Sequence, residues 1–98
     1  MEARLPIIVV VRVAYCSGAT SNEEEMTHSD NISPSGARIY SQRPCRAGDM
    51  IWVAPLHEEP VCANVIYCHS LPDDRYRFGV KFEDGPVEWP ILQRYARP

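Results

Sequence analysis

The stretch RYRFGVKF, from Arg75 to Phe82, alternates large apolar side chains with charged or small ones. Its apolar members are Tyr76, Phe78, Val80 and Phe82. A period of two residues is typical of a β-strand that buries one of its faces. The stretch therefore predicts a strand whose aromatic face packs into a core.

Short apolar segments separated by turn residues extend over the rest of the chain. We predict five further strands, at residues 7–15, 26–32, 37–42, 50–54 and 61–68. The first strand is nearly continuous in apolar residues, which predicts burial on both of its faces. Six antiparallel strands are too few for two full sheets in so short a chain, and they hide their edges by closing on themselves. The predicted fold is all-β, a small six-stranded antiparallel β-barrel.

The chain has 98 residues, a length that predicts one domain. We divide it into an N-terminal arm at about residues 1–6, a barrel at about 7–84 and a C-terminal segment at about 85–98. The apolar residues of the last segment have helical spacing: Trp89, Ile91, Leu92 and Tyr95. A short amphipathic helix beginning near Pro90 and lying against the sheet is predicted.

Composition and charge restrict the classes of function. The formal net charge is −3, which argues against a DNA- or RNA-binding protein, because nucleic acid binding needs a clustered basic face. A single-stranded nucleic acid binder with aromatic stacking platforms is an alternative that the net charge disfavours. The apolar run at residues 5–11 is too short to span a membrane and makes a poor signal peptide. We therefore predict a cytoplasmic location without membrane insertion.

The cysteines and the carboxylates do not form a recognisable reaction centre. The four cysteines, Cys16, Cys45, Cys62 and Cys68, lack the spacing of metal ligands and are expected to be buried or half-buried free thiols. No known catalytic motif is found in the sequence. We expect no catalytic residues, no metal site and no cofactor.

The segment DNISPSG, at residues 30–36, combines an amide, a hydroxyl and a glycine at a strand end. Strand alternation places Asn31 and Ser33 on one face. An amide can bond a base edge, a hydroxyl can bond a phosphate, and Gly36 leaves backbone N–H groups open to a ligand. The other interpretation is a tight turn over Ser33-Pro34-Ser35-Gly36, held by its own side-chain bonds, in which Gly36 permits a positive φ.

The pattern Asn31-x-Ser33-x-x-Gly36, followed by the Phe78–Phe82 strand FGVKF, resembles the PilZ domain family over nearly the whole chain. The resemblance implies a six-stranded barrel that binds the bacterial second messenger cyclic di-GMP. It implies that Asn31 bonds a guanine edge, that Ser33 contacts phosphate or base, and that Gly36 gives access to the backbone.

The family also uses an Arg-x-x-x-Arg motif near the N-terminus, and this motif is incomplete here. If Arg4 is the second arginine of the motif, the first would fall one position before Met1; if Arg4 is the first, the position of the second is occupied by Ile8. By the resemblance, Arg4 holds guanine or phosphate, and Arg12 and Arg38 are weaker candidates for ligand contact.

Two hypotheses about function follow. The first is a cyclic di-GMP receptor domain of bacterial signalling, regulatory and without catalysis. The second, motivated by the incomplete arginine motif, is a degenerate PilZ domain that does not bind the nucleotide and acts as a protein–protein interaction module. Under either hypothesis we expect a protein partner or a neighbouring domain in a longer chain.

Overall fold

A computed structural model describes residues 8–15, 24–90 and 92 of the chain. The strands are β1 (Val9–Tyr15), β2 (Glu24–Ile32), β3 (Gly36–Ser41), β4 (Met50–Pro55), β5 (Val61–Ser70) and β6 (Tyr76–Phe82). They pair antiparallel in the order β1-β2-β3-β6-β5-β4, and β4 pairs with β1 to close a barrel. The predicted all-β, six-stranded antiparallel barrel is confirmed.

The barrel interior is filled by one face of every strand. Phe78 on β6, Ile39 on β3 and Ile51 on β4 are fully buried, together with Val11 and Val13 on β1. Their burial follows from strand alternation, which sends every second side chain inward. The prediction that the aromatic face of β6 packs inward is therefore confirmed for Phe78 and Phe82.

The expectation that β1 is buried on both faces is wrong. Val11 and Val13 lie inside the barrel, whereas Val10 between its buried neighbours is 46% exposed and Arg12 is only half-buried. A closed barrel has a single interior, so a continuous apolar run in one of its strands leaves part of that run on the outer face.

The segment after β6 closes one end of the barrel. The backbone N–H of Val87 donates to the carbonyl oxygen of Pro34 at 2.8 Å. The ring of Trp89 packs edge-on against Phe82, with 5.3 Å between ring centroids. Trp89 and Leu92 are both buried, as expected for a segment lying against the sheet.

The predicted C-terminal helix is not supported by the described residues, whose only regular elements are the six strands. Residues 91 and 93–98, over which most of that helix would extend, lie outside the described part of the chain, as does the N-terminal arm. Within residues 8–15, 24–90 and 92, no helix is long and apolar enough to cross a membrane.

Three of the four cysteines lie in the described part of the chain, and Cys16 lies outside it. Cys45, Cys62 and Cys68 are half-buried, as predicted for these three. Burial, with a smaller contribution from the neighbouring Cys68 thiol, raises the pKa of Cys45 well above its ordinary value.

Candidate functional site

A row of four residues crosses the outer face of the strands β2, β3, β6 and β5. Asn31 on β2 pairs with Arg38 on β3, Arg38 pairs with Gly79 on β6, and Gly79 pairs with Tyr67 on β5. Neighbouring strands lie about 4.8 Å apart, so these residues form a continuous strip across the barrel. We call it the Asn31–Tyr67 row.

A surface cavity of about 340 Å³ opens over this row. Its lining residues come from all four strands and are Asn31, Ala37, Arg38, Ile66, Tyr67, Gly79 and Val80. The volume lies at the lower end of the range of small-molecule sites, about 300–1,000 Å³. The cavity combines an amide, a guanidinium and a phenol with apolar walls, a composition suited to a polar aromatic ligand.

Two β-bulges frame the cavity. The strand register shifts between Ser29 and Asn31 on β2 and between Val65 and Tyr67 on β5. A bulge inserts one extra residue, so two consecutive side chains reach the same face of the sheet. On β2 these are Asp30 and Asn31, and on β5 they are Ile66 and Tyr67, so each bulge adds a side chain to the outer surface at the cavity.

The bulge residue Asp30 fixes the orientation of Arg38. Its carboxylate accepts hydrogen bonds from Arg38 Nε at 2.8 Å and from Arg38 Nη2 at 3.1 Å. The Tyr40 hydroxyl donates to the same carboxylate at 2.8 Å. Hydrogen bonding by Arg38 is the main cause that lowers the pKa of Asp30 below its usual value. Arg38 is therefore pre-oriented at the cavity wall by an ionised partner.

Gly79 and Tyr67 contact each other at the β5 end of the row. A Cβ atom at Gly79 would overlap the ring of Tyr67, whose Cζ would lie 2.8 Å from it. The ring of Tyr67 therefore rests directly on the Gly79 backbone, which only glycine permits. This contact forms the β5 side of the cavity.

Ser33, predicted to share a face with Asn31, does not line the cavity. It follows the end of β2 and is 2% exposed. Its hydroxyl accepts from the N–H groups of Ser35 and Gly36, each at 3.3 Å, and the Ser33 N–H donates to the Gly36 carbonyl oxygen at 2.9 Å. These bonds match the alternative interpretation of a self-stabilised turn.

Gly36 is needed for close strand contact. Positive φ values among the described glycines occur at Gly48 and Gly85, so the expectation of a positive φ at Gly36 is wrong. A Cβ atom at Gly36 would instead overlap the carbonyl oxygen of Val80 on β6. The glycine lets β3 approach β6 beside the turn.

The two remaining predicted arginines are not at the cavity. Arg4 lies outside the described residues. Arg12 lies on β1, and in the strand order β1 and β4 stand across the barrel from β3 and β6. Its guanidinium donates to Glu24 Oε2 at 3.3 Å and to the Glu58 carbonyl oxygen at 2.7 Å.

Arg12 belongs to a second cavity, of about 330 Å³, on this opposite side. Its lining residues are Arg12, Ala14, Glu24, Trp52, Ala54 and Pro60. Trp52 is 45% exposed, and Val10 and Met26 are also exposed on the neighbouring strands. The outer surface of β1 and β4, which we call the Trp52 face, is therefore largely apolar.

Sequence reasoning did not identify Asp30 and Tyr67 as parts of the site. Asp30 stands next to the predicted Asn31, but its contact with Arg38 depends on the bulge. The position of Tyr67 over Gly79 depends on the pairing of β5 with β6, which are joined across a register shift. The one signal in the sequence is the glycine that interrupts the alternation of β6.

The described strands form a small closed β-barrel domain with a polar cavity on its outer face, at the strands β2, β3, β6 and β5. The family model of the PilZ domain matches residues 2–95. This chain belongs to the PilZ domain family, whose members are generally cyclic di-GMP-binding or regulatory modules.

A solved structure with the same fold is described as the Bacillus subtilis inhibitor of motility (MotI/DgrA). It is similar with a TM-score of 0.70 at 17% sequence identity, over 98% of this chain and 47% of that chain. The chain thus spans about half the length of this relative. A comparison with curated proteins found no significant match.

Proposed function

We propose that this chain is a regulatory domain that binds cyclic di-GMP on the cavity over the Asn31–Tyr67 row. The observation that carries the proposal is the pairing of Asn31, a residue of the family motif, with the pre-oriented Arg38 on one cavity wall. In this proposal the Asn31 amide bonds a guanine edge and Arg38 bonds a phosphate or a guanine.

The other motif residues take different parts in the proposal. Ser33 and Gly36 shape the hairpin that presents Asn31, since their polar groups already bond each other in the turn. Arg4, in the arm at residues 1–6, is a further contact to the dinucleotide. The chain acts as one domain without catalysis, in the cytoplasm of a bacterium, and without binding DNA or RNA.

Isothermal titration of the purified chain with cyclic di-GMP tests this proposal, with GMP as the comparison ligand. We expect saturable binding of the dinucleotide that falls in both Asn31→Ala and Arg38→Ala. Loss of one charge-assisted contact corresponds to about a tenfold to hundredfold weaker affinity. The matched control is Arg46→Ala, an exposed arginine of the β3–β4 loop. An absence of binding, or equal affinities in all variants, would overturn the proposal.

A second candidate function is that of a protein-interaction module, favoured by the Trp52 face. An exposed tryptophan in an apolar cavity is typical of a contact surface for another protein or domain. The solved relative is described as an inhibitor of motility. We propose that this chain acts on a protein partner or a neighbouring domain through the Trp52 face. Trp52→Ala would then abolish partner binding while leaving nucleotide titration unchanged, and loss of both would instead indicate misfolding.

A further inference from the structure

A second row of residues crosses the same four strands beside the Asn31–Tyr67 row. Its centre is Arg77 on β6, which pairs with Tyr40 on β3 and with His69 on β5. Arg77 is half-buried on the outer face, between the half-buried Tyr76 and the buried Phe78. Within residues 8–15, 24–90 and 92, its guanidinium has no ion-pair or hydrogen-bond partner.

Aromatic rings stand on both sides of Arg77. The ring of His28 stacks on Tyr40, with 4.8 Å between centroids and 16° between planes. On β5, the rings of Tyr67 and His69 lie 4.9 Å apart. Arg77 is therefore flanked by two pairs of rings, one of which includes a residue of the cavity wall.

The carboxylates of this face are already engaged by other residues. Asp30 is bonded to Arg38 and Tyr40, and Asp73 forms an ion pair with Arg75 at 2.8 Å. Among the described residues, the charge of Arg77 is therefore left without a counter-charge on this face. A half-buried guanidinium that contributes no ion pair to the fold is suited to an anionic ligand.

We propose that Arg77 supplies the second guanidinium of the cyclic di-GMP site. This inference rests on the proposed function. Arg38 and Arg77 are diagonal neighbours on paired antiparallel strands, a relation that sets their Cα atoms about 7–8 Å apart. A cyclic dinucleotide has two phosphates and two guanines, so it offers one set of acceptors to each arginine.

The flanking rings add to this arrangement. A guanine held by Arg77 lies beside His69, whose ring can stack on a purine, whereas the Tyr40 ring already stacks on His28 and has the Arg75 guanidinium 5.8 Å from its centroid. Such stacking depends little on the identity of the base, whereas a bidentate bond from Arg77 to the O6 and N7 acceptors of guanine is specific for guanine. The inference therefore includes a preference for cyclic di-GMP over cyclic di-AMP.

The test is calorimetric titration of the full chain and of Arg77→Gln, Arg77→Lys and Arg46→Gln with cyclic di-GMP and cyclic di-AMP. We expect Arg77→Gln to weaken cyclic di-GMP binding about tenfold to a hundredfold. Arg77→Lys, which keeps the charge and loses the planar fork, should recover only part of this loss and should reduce the preference for guanine. Arg46→Gln should match the parent, and circular dichroism should show all variants folded.

The outcomes separate this inference from the proposed function. If the parent binds cyclic di-GMP and Arg38→Ala weakens it while Arg77→Gln does not, the assignment of Arg77 is overturned and the proposed function stands. If the parent does not bind the dinucleotide, both are overturned. If Arg77→Lys binds as tightly as the parent, with the same preference for guanine, the bidentate role of Arg77 is refuted.

Discussion

Replacement of Gly36 by alanine distinguishes a structural from a ligand-related reason for this glycine. The new Cβ would overlap the Val80 carbonyl oxygen and lie 3.3 Å from the Val80 carbonyl carbon. Both atoms belong to the backbone of β6, so they cannot rotate away as a side chain would. The end of β3 must therefore withdraw from β6.

The cost of this withdrawal can be estimated from the contacts at the turn. Forcing an extra methyl group into a packed site costs about 1–3 kcal/mol. Withdrawal also strains two hydrogen bonds, each of which contributes about 1 kcal/mol to stability. In one, the Phe82 N–H donates to the Ser35 carbonyl oxygen at 2.8 Å, and in the other, the Ser33 N–H donates to the Gly36 carbonyl oxygen at 2.9 Å. The expected loss is about 3–5 kcal/mol, a large fraction of the roughly 5–15 kcal/mol that stabilises a typical domain.

Urea unfolding provides the assay, followed by the fluorescence of Trp89, which is buried against Phe82, and by circular dichroism. The control is Gly48→Ala, where φ is 97° and no atom lies within 4 Å of the added Cβ. That substitution introduces backbone strain of about 1–2 kcal/mol without a clash. A loss at Gly36 no larger than the loss at Gly48 would refute the steric argument. A stable Gly36→Ala chain that no longer binds cyclic di-GMP would show that the glycine serves ligand access.

Three further outcomes are expected. Because Arg38 lowers the pKa of Asp30, their ion pair stabilises the chain above the ordinary carboxyl pKa, and this stabilisation is lost as the pH falls through the lowered pKa. In urea unfolding, the free energies of the parent and of Asp30→Asn should differ by under about 1 kcal/mol near neutral pH and should converge in acid. A difference that grows in acid would contradict this expectation. Gly79→Ala should displace the Tyr67 ring from the cavity and weaken cyclic di-GMP binding in calorimetry while the barrel stays folded. Unchanged affinity would exclude a role for Tyr67 in binding. Since burial raises the pKa of Cys45, mass spectrometry should find its alkylation near pH 8 much slower in the native chain than in urea, and equal rates would contradict its burial.

The barrel was predictable from the sequence because each strand shows its own periodicity. The alternation of Arg75–Phe82 depends only on neighbouring residues, and its inward face is the one observed. The turn after β2 was likewise predictable, since its proline, serines and glycine act locally. The burial of β1 was not predictable in the same way, because a continuous apolar run does not reveal which of its residues face the interior.

The candidate site was only partly predictable, because its parts meet through pairings between strands distant in sequence. Asn31 and Arg38 are close in the chain, and the family resemblance predicts ligand contact for both. Arg77 joins them through the pairing of β3 with β6, which no local pattern specifies.

The bulges add a second obstacle, since alternation counted along β2 or β5 fails at the inserted residue. At Asp30 and at Ile66 the strand changes the face to which later residues point. On β2 the bulge puts Asp30 and Asn31 on one face, which alternation does not predict, and Ser33 does not share the cavity with Asn31 because it lies beyond the end of β2, inside the turn. The bulge that interrupts the alternation of β2 also brings Asp30 beside Arg38. The feature of the sheet that is hardest to predict from the sequence is therefore the one that fixes the orientation of Arg38 at the cavity wall.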